Sequence, residues 1–257
     1  MSLLKIDHIT KQFGGLTAVS DFYLELEKGE LVGLIGPNGA GKTTIFNMIN
    51  GTYPPTKGKI YFDNKDITQN KPDKIAALGV SRTFQNIRLY PESSVVDNVK
   101  VGYHLRVKSS FWGAVFHFPN YVKEENYISQ DADSLLSAIG LLKKKGELAG
   151  GLPYGDQRRL EICRALATRP KLLLLDEPAA GMNPRETVEL MSFIQKIRRQ
   201  FDLTILLIEH DMKVIMGICE RILVLDYGKT IAEGTPGKIQ HNPKVIEAYL
   251  GTEVSYA

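Results

Sequence analysis

The chain has 257 residues, 43% of them hydrophobic and 24% charged, with a formal net charge of +3. That length suffices for one substantial core, or a core with a subdomain, and the small net charge gives no argument for nucleic acid. No apolar run approaches the ~20 residues of a membrane-spanning helix, and the opening Met1-Ser2-Leu3-Leu4-Lys5-Ile6-Asp7 lacks the apolar stretch of a secretory signal.

Residues 3–10 and 19–27 alternate apolar and polar side chains, with Phe22, Leu24 and Leu26 on one face, as antiparallel strands do. Lys28-Gly29-Glu30 reads as a turn into a short buried strand at 31–35, and residues 44–49 read as a helix. Residues 58–67 suggest two short strands about an Asp63-Asn64 turn. Residues 79–85 suggest another strand ending in a loop. From about 94 to 157 the spacing becomes helical, clearest at 95–103 and 132–139. Within that stretch, residues 111–119 are dense in aromatics and hold the only Trp, Trp112. They serve either as subdomain core or as part of a partner-docking surface. Strands at 171–175, 203–208 and 221–226 then alternate with helices near 156–169, 184–200 and 211–219, which predicts a parallel sheet flanked by helices. A hairpin at 226–229 and a helix from Pro243 close the chain. Cys163 and Cys219 lie far apart in no ligand pattern. They are expected to pack as small apolar side chains in a reducing compartment.

The expected fold class is α/β. A core at 1–88 and 158–257 carries an N-terminal antiparallel β-subdomain, and 89–157 forms an inserted α-helical subdomain.

Gly36-Pro37-Asn38-Gly39-Ala40-Gly41-Lys42-Thr43 fits the phosphate-binding pattern of Gly, four residues, then Gly-Lys-Ser/Thr. It lies between the strand at 31–35 and the helix that begins about Thr44, the context this motif requires. Glycines let successive N–H groups curl around phosphate oxygens, and the helix start adds positive partial charge. Lys42 would reach the outer phosphates, and the Thr43 hydroxyl would hold Mg2+. Such a loop occurs in kinases, GTPases and transporter motors alike. Further along, the apolar run Leu172-Leu173-Leu174-Leu175 ends in Asp176-Glu177. A buried strand delivers acids to its carboxyl end, where α/β sheets hold ligands. Asp176 is the candidate for the Mg2+ shell and Glu177 for polarising the attacking water.

Asp176-Glu177-Pro178 followed by Asn183-Pro184 resembles the Walker B and D-loop motifs of ABC-transporter ATPases. Gln85, after Arg82-Thr83-Phe84, looks like their Q-loop glutamine, which contacts the metal or the attacking water. His210, in Ile208-Glu209-His210-Asp211, looks like their switch histidine. Phe13, before Gly14-Gly15, looks like the aromatic that stacks on adenine. Gly150 to Arg159 occupies the place of the signature motif, and the resemblance spans residues 3 to 250. It implies a P-loop NTPase fold that takes ATP and Mg2+ and hydrolyses the ATP. It implies a nucleotide site built from Phe13, residues 36–43 and Thr44, with Lys42, Gln85, Glu177 and His210 catalytic and Thr43, Gln85 and Asp176 on the metal.

The signature departs from the family's Leu-Ser-Gly-Gly-Gln. Here it reads Leu152-Pro153-Tyr154-Gly155-Asp156, and Pro153 has neither the serine hydroxyl nor a backbone N–H. The helix expected to begin near Asp156 could still aim its N–H groups at phosphate, with Asp156 capping that end. The D-loop carries Asn183 where Asp is usual.

In the family, the signature faces the ATP held by an opposing subunit, so one motif set implies a second ATP-binding subunit in a head-to-tail dimer. Stretches at 81–86, 154–162, 177–184 and 245–251 look like the branched-chain amino-acid uptake ATPases. That likeness implies two transmembrane permeases, indirect service to an extracytoplasmic binding protein, and a peripheral place on the cytoplasmic membrane face. Urea or amide uptake and lipopolysaccharide export share much of the pattern. A soluble ABC ATPase of DNA repair or translation, and a non-hydrolysing regulator, are the competing classes.

Overall fold

Two patterns of strand burial sort the chain into two sheets. The computed structural model describes residues 2–105 and 119–253. The chain divides into two compact units, Met1–Gln85 with Lys171–Ala257, and Asn86–Pro170. The first unit begins with β1 (Ser2–Phe13), β2 (Leu16–Glu27), β3 (Leu31–Ile35), α1 (Lys42–Ile49), β4 (Lys57–Phe62), β5 (Lys65–Asp66), α2 (Pro72–Leu78) and β6 (Val80–Arg82). The second unit holds α3 (Val95–Val101), α4 (Pro119–Ala138) and α5 (Tyr154–Ala167). The first unit resumes with β7 (Leu172–Asp176), α6 (Pro184–Gln200), β8 (Thr204–Ile208), α7 (Met212–Ile218), β9 (Arg221–Asp226), β10 (Lys229–Gly234), α8 (Pro236–Gln240) and α9 (Pro243–Glu253).

The four-stranded sheet runs in the order β2-β1-β4-β5, with antiparallel pairing throughout. Phe22, Leu24 and Leu26 face inward, as the period-two pattern requires. Asp63 and Asn64 take positive φ at the β4–β5 turn, a conformation that short Asx side chains tolerate.

The six-stranded sheet runs in the order β10-β9-β3-β8-β7-β6. Its strands pair in parallel except for β10 at the edge. β3, β7 and β8 are buried at every position, because a parallel sheet covered on both faces needs continuous apolar runs. One core joins the two sheets and α1, through side chains such as Phe22, Val32, Phe46, Ile60 and Leu206. Both thiols are buried, and burial pushes their pKa values up, so both cysteines behave as apolar packing residues.

In the second unit Ser94 caps α3 by accepting from the Asp97 N–H at 3.1 Å. The fully buried Arg158 pairs with Glu161 at 2.7 Å, and Glu161 also accepts from the Arg88 N–H. A boundary at 157/158 would cut α5, which is one continuous helix, so this unit extends to Pro170. The aromatic stretch at 111–118 lies outside the described residues, whereas Pro119 opens α4. Among the described residues, no helix is long and apolar enough to cross a membrane.

Candidate functional site

The register of the parallel sheet brings the site together. Leu34 of β3 and Asp176 of β7 both stand beside Ile208 of β8, so three strands end at one level. The chain leaving each strand end carries a motif residue: Gly36 after β3, Glu177 after β7, His210 after β8. Arg82 of edge strand β6 stands beside Leu174, which brings Gln85 to the same end. A cavity of about 890 Å³ opens there, lined by residues 36–44, Gln85, Glu177, His210, Ala18 and Tyr249.

The loop from 36 to 41 needs glycine at two points. A Cβ on Gly36, at φ +149°, would stand 2.1 Å from the Leu225 carbonyl oxygen. A Cβ on Gly41, at φ +102°, would stand 2.6 Å from the Ala18 carbonyl oxygen. Gly41 is also the residue before α1, so the helix starts in the loop itself. Lys42, at 6% exposure, donates from Nζ to the Gly36 and Pro37 carbonyls at 2.7 and 2.9 Å. Burial holds its ammonium below the usual lysine pKa, and the charges of Glu177 and Asp176 oppose that shift. An ammonium has three donors, and two are spent on the loop, so the lysine braces the cradle and keeps one proton for an anion.

Glu177 sits at φ +46°, which is costly for a non-glycine residue and is held by its N–H donating to the Ile208 carbonyl at 2.9 Å. Its Oε2 accepts from Gln85 Nε2 at 2.7 Å and lies 3.5 Å from His210 Nδ1. One carboxylate oxygen is thus held between an amide and an imidazole inside the cavity.

Asp176 is placed differently. It is buried and does not line the cavity, and its Oδ2 takes a 2.7 Å ion pair from Arg82. Arg82 also donates to Asn47 Oδ1 at 2.6 Å and lies against the rings of Phe46 and Phe84. Phe13 is 45% exposed at the end of β1 and is not part of the cavity wall. It meets Tyr53 edge-on at 5.3 Å, with Lys11 Nζ over both rings.

Sequence reasoning missed three residues. Arg82 was read only as part of the motif around Gln85. Glu209 is buried beside His210 and accepts from the Ala179 and His210 N–H groups, and burial raises its carboxyl pKa. Tyr249 reaches the cavity from α9. Only the apolar context of Ile208-Glu209 hinted at a buried acid.

In the second unit, α5 begins at Tyr154, earlier than the expected Asp156, with Pro153 as an N-cap that offers no side-chain bond. Asp156 lies inside the first turn instead of at the cap. Its charge is met by Lys144 at 2.7 Å and by Arg159 at 3.8 Å, and the Asp156 hydrogen bond raises the Lys144 pKa. The buried Leu152 gives its carbonyl to Gln157 Nε2, and Gly155 has open space around its Cα. In the first unit Asn183 spends its acceptor within the chain, capping α6 in a reciprocal box with Glu186.

A parallel sheet with a glycine cradle, a bracing lysine and an acid–imidazole pair at its carboxyl end defines a P-loop nucleotide-binding protein. The family model described as ABC transporter matches residues 19–180. A second, described as branched-chain amino acid ATP-binding cassette transporter, matches residues 229–255. The chain is 46% identical over 249 residues to the high-affinity branched-chain amino acid transport ATP-binding protein LivG of Escherichia coli, covering 97% of this chain and 98% of that one. A solved ABC-transporter cassette in its ADP conformation, MJ1267, superposes with TM-score 0.86 at 32% identity, covering 98% of this chain and 99% of that one. The cassette MJ0796, solved as a dimer in a post-hydrolysis state bound to ADP and Pi, matches with TM-score 0.74 at 25% identity, covering 91% and 98%. The chain belongs to the ABC transporter family and is one of its ATPases.

Proposed function

We propose that the chain is the ATP-hydrolysing subunit of an importer for branched-chain amino acids. The near-full-length likeness to LivG carries this reading, and the match at 229–255 to the branched-chain cassette model supports it. Two compact units with the halves of the motif set between them support the division into an ATP-binding core and a signature-bearing helical subdomain.

ATP enters the cavity with its phosphates against the N–H groups of residues 39–44 and the Lys42 ammonium. Positioning and charge neutralisation, more than covalent chemistry, lower the barrier to phosphoryl transfer. Glu177 accepts a proton from the attacking water, and Gln85 fixes that carboxylate's orientation. His210 donates toward the γ-phosphate from the far side of the same oxygen. The Phe13 ring serves as the adenine platform.

The cavity also suits Mg2+. Thr43 and Gln85 offer neutral oxygens in its wall, and this ion prefers a few protein oxygens beside phosphate and water. When bound it would neutralise charge on the β- and γ-phosphates. Asp176, anchored by Arg82, would complete its outer shell.

The signature residues Leu152 to Asp156 and the D-loop Asn183 act on the ATP of a second ATP-binding subunit in a head-to-tail dimer. The dimeric form of MJ0796 supports that arrangement. Two membrane permeases, served by an extracytoplasmic binding protein, hold the dimer at the cytoplasmic membrane face.

Glu177→Gln tests the mechanism. The variant keeps the contact to Gln85 through its amide and loses the base. It is expected to bind ATP normally, turn over at least about a hundredfold more slowly, in line with the loss of a general base, and accumulate as an ATP-bound dimer on gel filtration. Turnover at the wild-type rate would overturn the assignment. Reconstitution with the permeases, followed by ATP-dependent leucine uptake, tests the transported substrate.

A further inference from the structure

Glu209 is a buried acid that the hydrolytic mechanism leaves unused. It follows β8 directly and is 1% exposed. An acid is rarely buried so completely without a compensating partner, and burial here raises its pKa. Its two oxygens compensate by reaching two different loops. Oε1 accepts from the Ala179 N–H at 2.7 Å, in the loop that leaves β7 and two residues after Glu177. Oε2 accepts from the His210 N–H at 3.2 Å, in the loop that leaves β8. The β7–β8 ladder ends at Asp176 and Ile208. Past it, one main-chain bond ties the loops, from the Glu177 N–H to the Ile208 carbonyl at 2.9 Å. The Glu209 carboxylate supplies the next tie. Glu177 needs one, because its φ of +46° persists only where the surroundings hold it.

We propose that Glu209 is a positioning residue for hydrolysis: its carboxylate clamps the two loops at Ala179 and His210, and so sets the 3.5 Å spacing between Glu177 Oε2 and His210 Nδ1. This rests on the reading of Glu177 as the base. Glu209 does not line the cavity, so it acts through the pair it holds and not on the nucleotide. The phosphate loop and Lys42 are built without it. Loss of the clamp therefore slows the chemical step and spares nucleotide binding, because a misplaced base costs rate and not ground-state affinity.

The test measures steady-state ATP turnover, and MgADP affinity by calorimetry, on the full chain. Glu209→Gln keeps a single acceptor oxygen and so loses one tie. Its kcat is expected to fall roughly fivefold, the effect of one hydrogen bond, with KM for ATP and MgADP affinity within about twofold of wild type. Glu209→Leu loses both ties and is expected to lower kcat on the order of a hundredfold, the effect of about an ångström of misplacement, again without loss of MgADP binding. Added to Glu177→Gln, Glu209→Gln is expected to cost less than about twofold, because the group it positions has already gone. Wild-type kcat in either single variant overturns the proposal. So does a loss of MgADP affinity that parallels the loss of kcat, or a further fall of roughly fivefold in the double variant. If Glu209→Leu does not fold, the Glu209→Gln single and double variants decide alone. Glu177→Gln by itself keeps the two readings distinguishable. At the wild-type rate, the base assignment itself has failed; slow beside a wild-type Glu209→Gln, only the clamp has.

Discussion

Arg82 and Asp176 form an ion pair whose removal has a calculable cost. The two side chains are 5% and 7% exposed, with Nη2 and Oδ2 at 2.7 Å. Taking away one partner of such a pair strands the other charge in a low-dielectric site, typically at about 3–5 kcal/mol. Arg82→Met keeps the aliphatic stem between Phe46 and Phe84 and removes every donor. It also forfeits the 2.6 Å bond to Asn47, so the upper half of that range is expected. At roughly 2–4 °C per kcal/mol for a domain of this size, the melting temperature should fall by roughly 8–20 °C. Asp176→Asn alone strands Arg82 and should cost a similar amount. The double variant Arg82→Met/Asp176→Asn strands neither charge and should recover about 2 kcal/mol relative to the sum of the singles. The assay is calorimetric melting of the three variants without nucleotide, repeated with MgADP. An Arg82→Met melting temperature within about 2 °C of wild type, or strictly additive singles, would refute the view that this pair anchors the acid at the end of β7.

Two further expectations follow from the site. Pro153→Ser supplies the missing N-cap of α5 and should stabilise the second unit by about 1 kcal/mol; if the signature also reads phosphate across the dimer, ATP-dependent dimerisation rises too, and no change in either measurement refutes the idea. Glu209 is protonated more readily in the folded chain than at its ordinary value of 4.5, because burial disfavours its charge. The folded state therefore holds more protons than the unfolded one just above pH 4.5, and the Glu209 contribution to stability declines as pH rises through that window. Glu209→Gln should lose that slope and also one of the two N–H contacts, from Ala179 or His210, because its amide keeps a single acceptor oxygen. Denaturant titrations between pH 4 and pH 7 would show this, and an unchanged slope would dismiss it.

Legibility in the sequence followed the strength of the local physics. β3, β7 and β8 were readable because a strand covered on both faces must be apolar at every position. α6 was readable because Asn183, Pro184 and Glu186 write a cap, a first-turn proline and a capping box in sequence. α2 and α8 left no trace, since each is a short helix burying a single residue, Ile75 and Ile239, and so has no apolar stripe to detect. The start of α5 was misplaced for a related reason. Proline at the N-cap gives no Ser, Thr, Asp or Asn signal, and Asp156 three residues on imitates one.

The site divides along the same line, and the division has a cause. Gly36, Gln85, Glu177 and His210 could be proposed as partners because each ends a strand or follows one, and a parallel sheet brings its carboxyl ends together whatever the loops do. Asp176 and Glu177 are neighbours in sequence, yet a strand points successive side chains to opposite faces. Glu177, turned at φ +46°, enters the cavity, whereas Asp176 is left against Arg82 in the interior. Nothing in an Asp-Glu dipeptide reveals which acid will be the free one. The answer depends on a cation from β6 that pairing brings alongside β7. Tyr249 and Glu209 escaped notice on similar grounds. One arrives from the end of the chain and the other is hidden behind the histidine it holds, so only packing brings them to the phosphate loop and the His210 amide. The motif residues are thus written locally, whereas those that hold them in place are set by the fold.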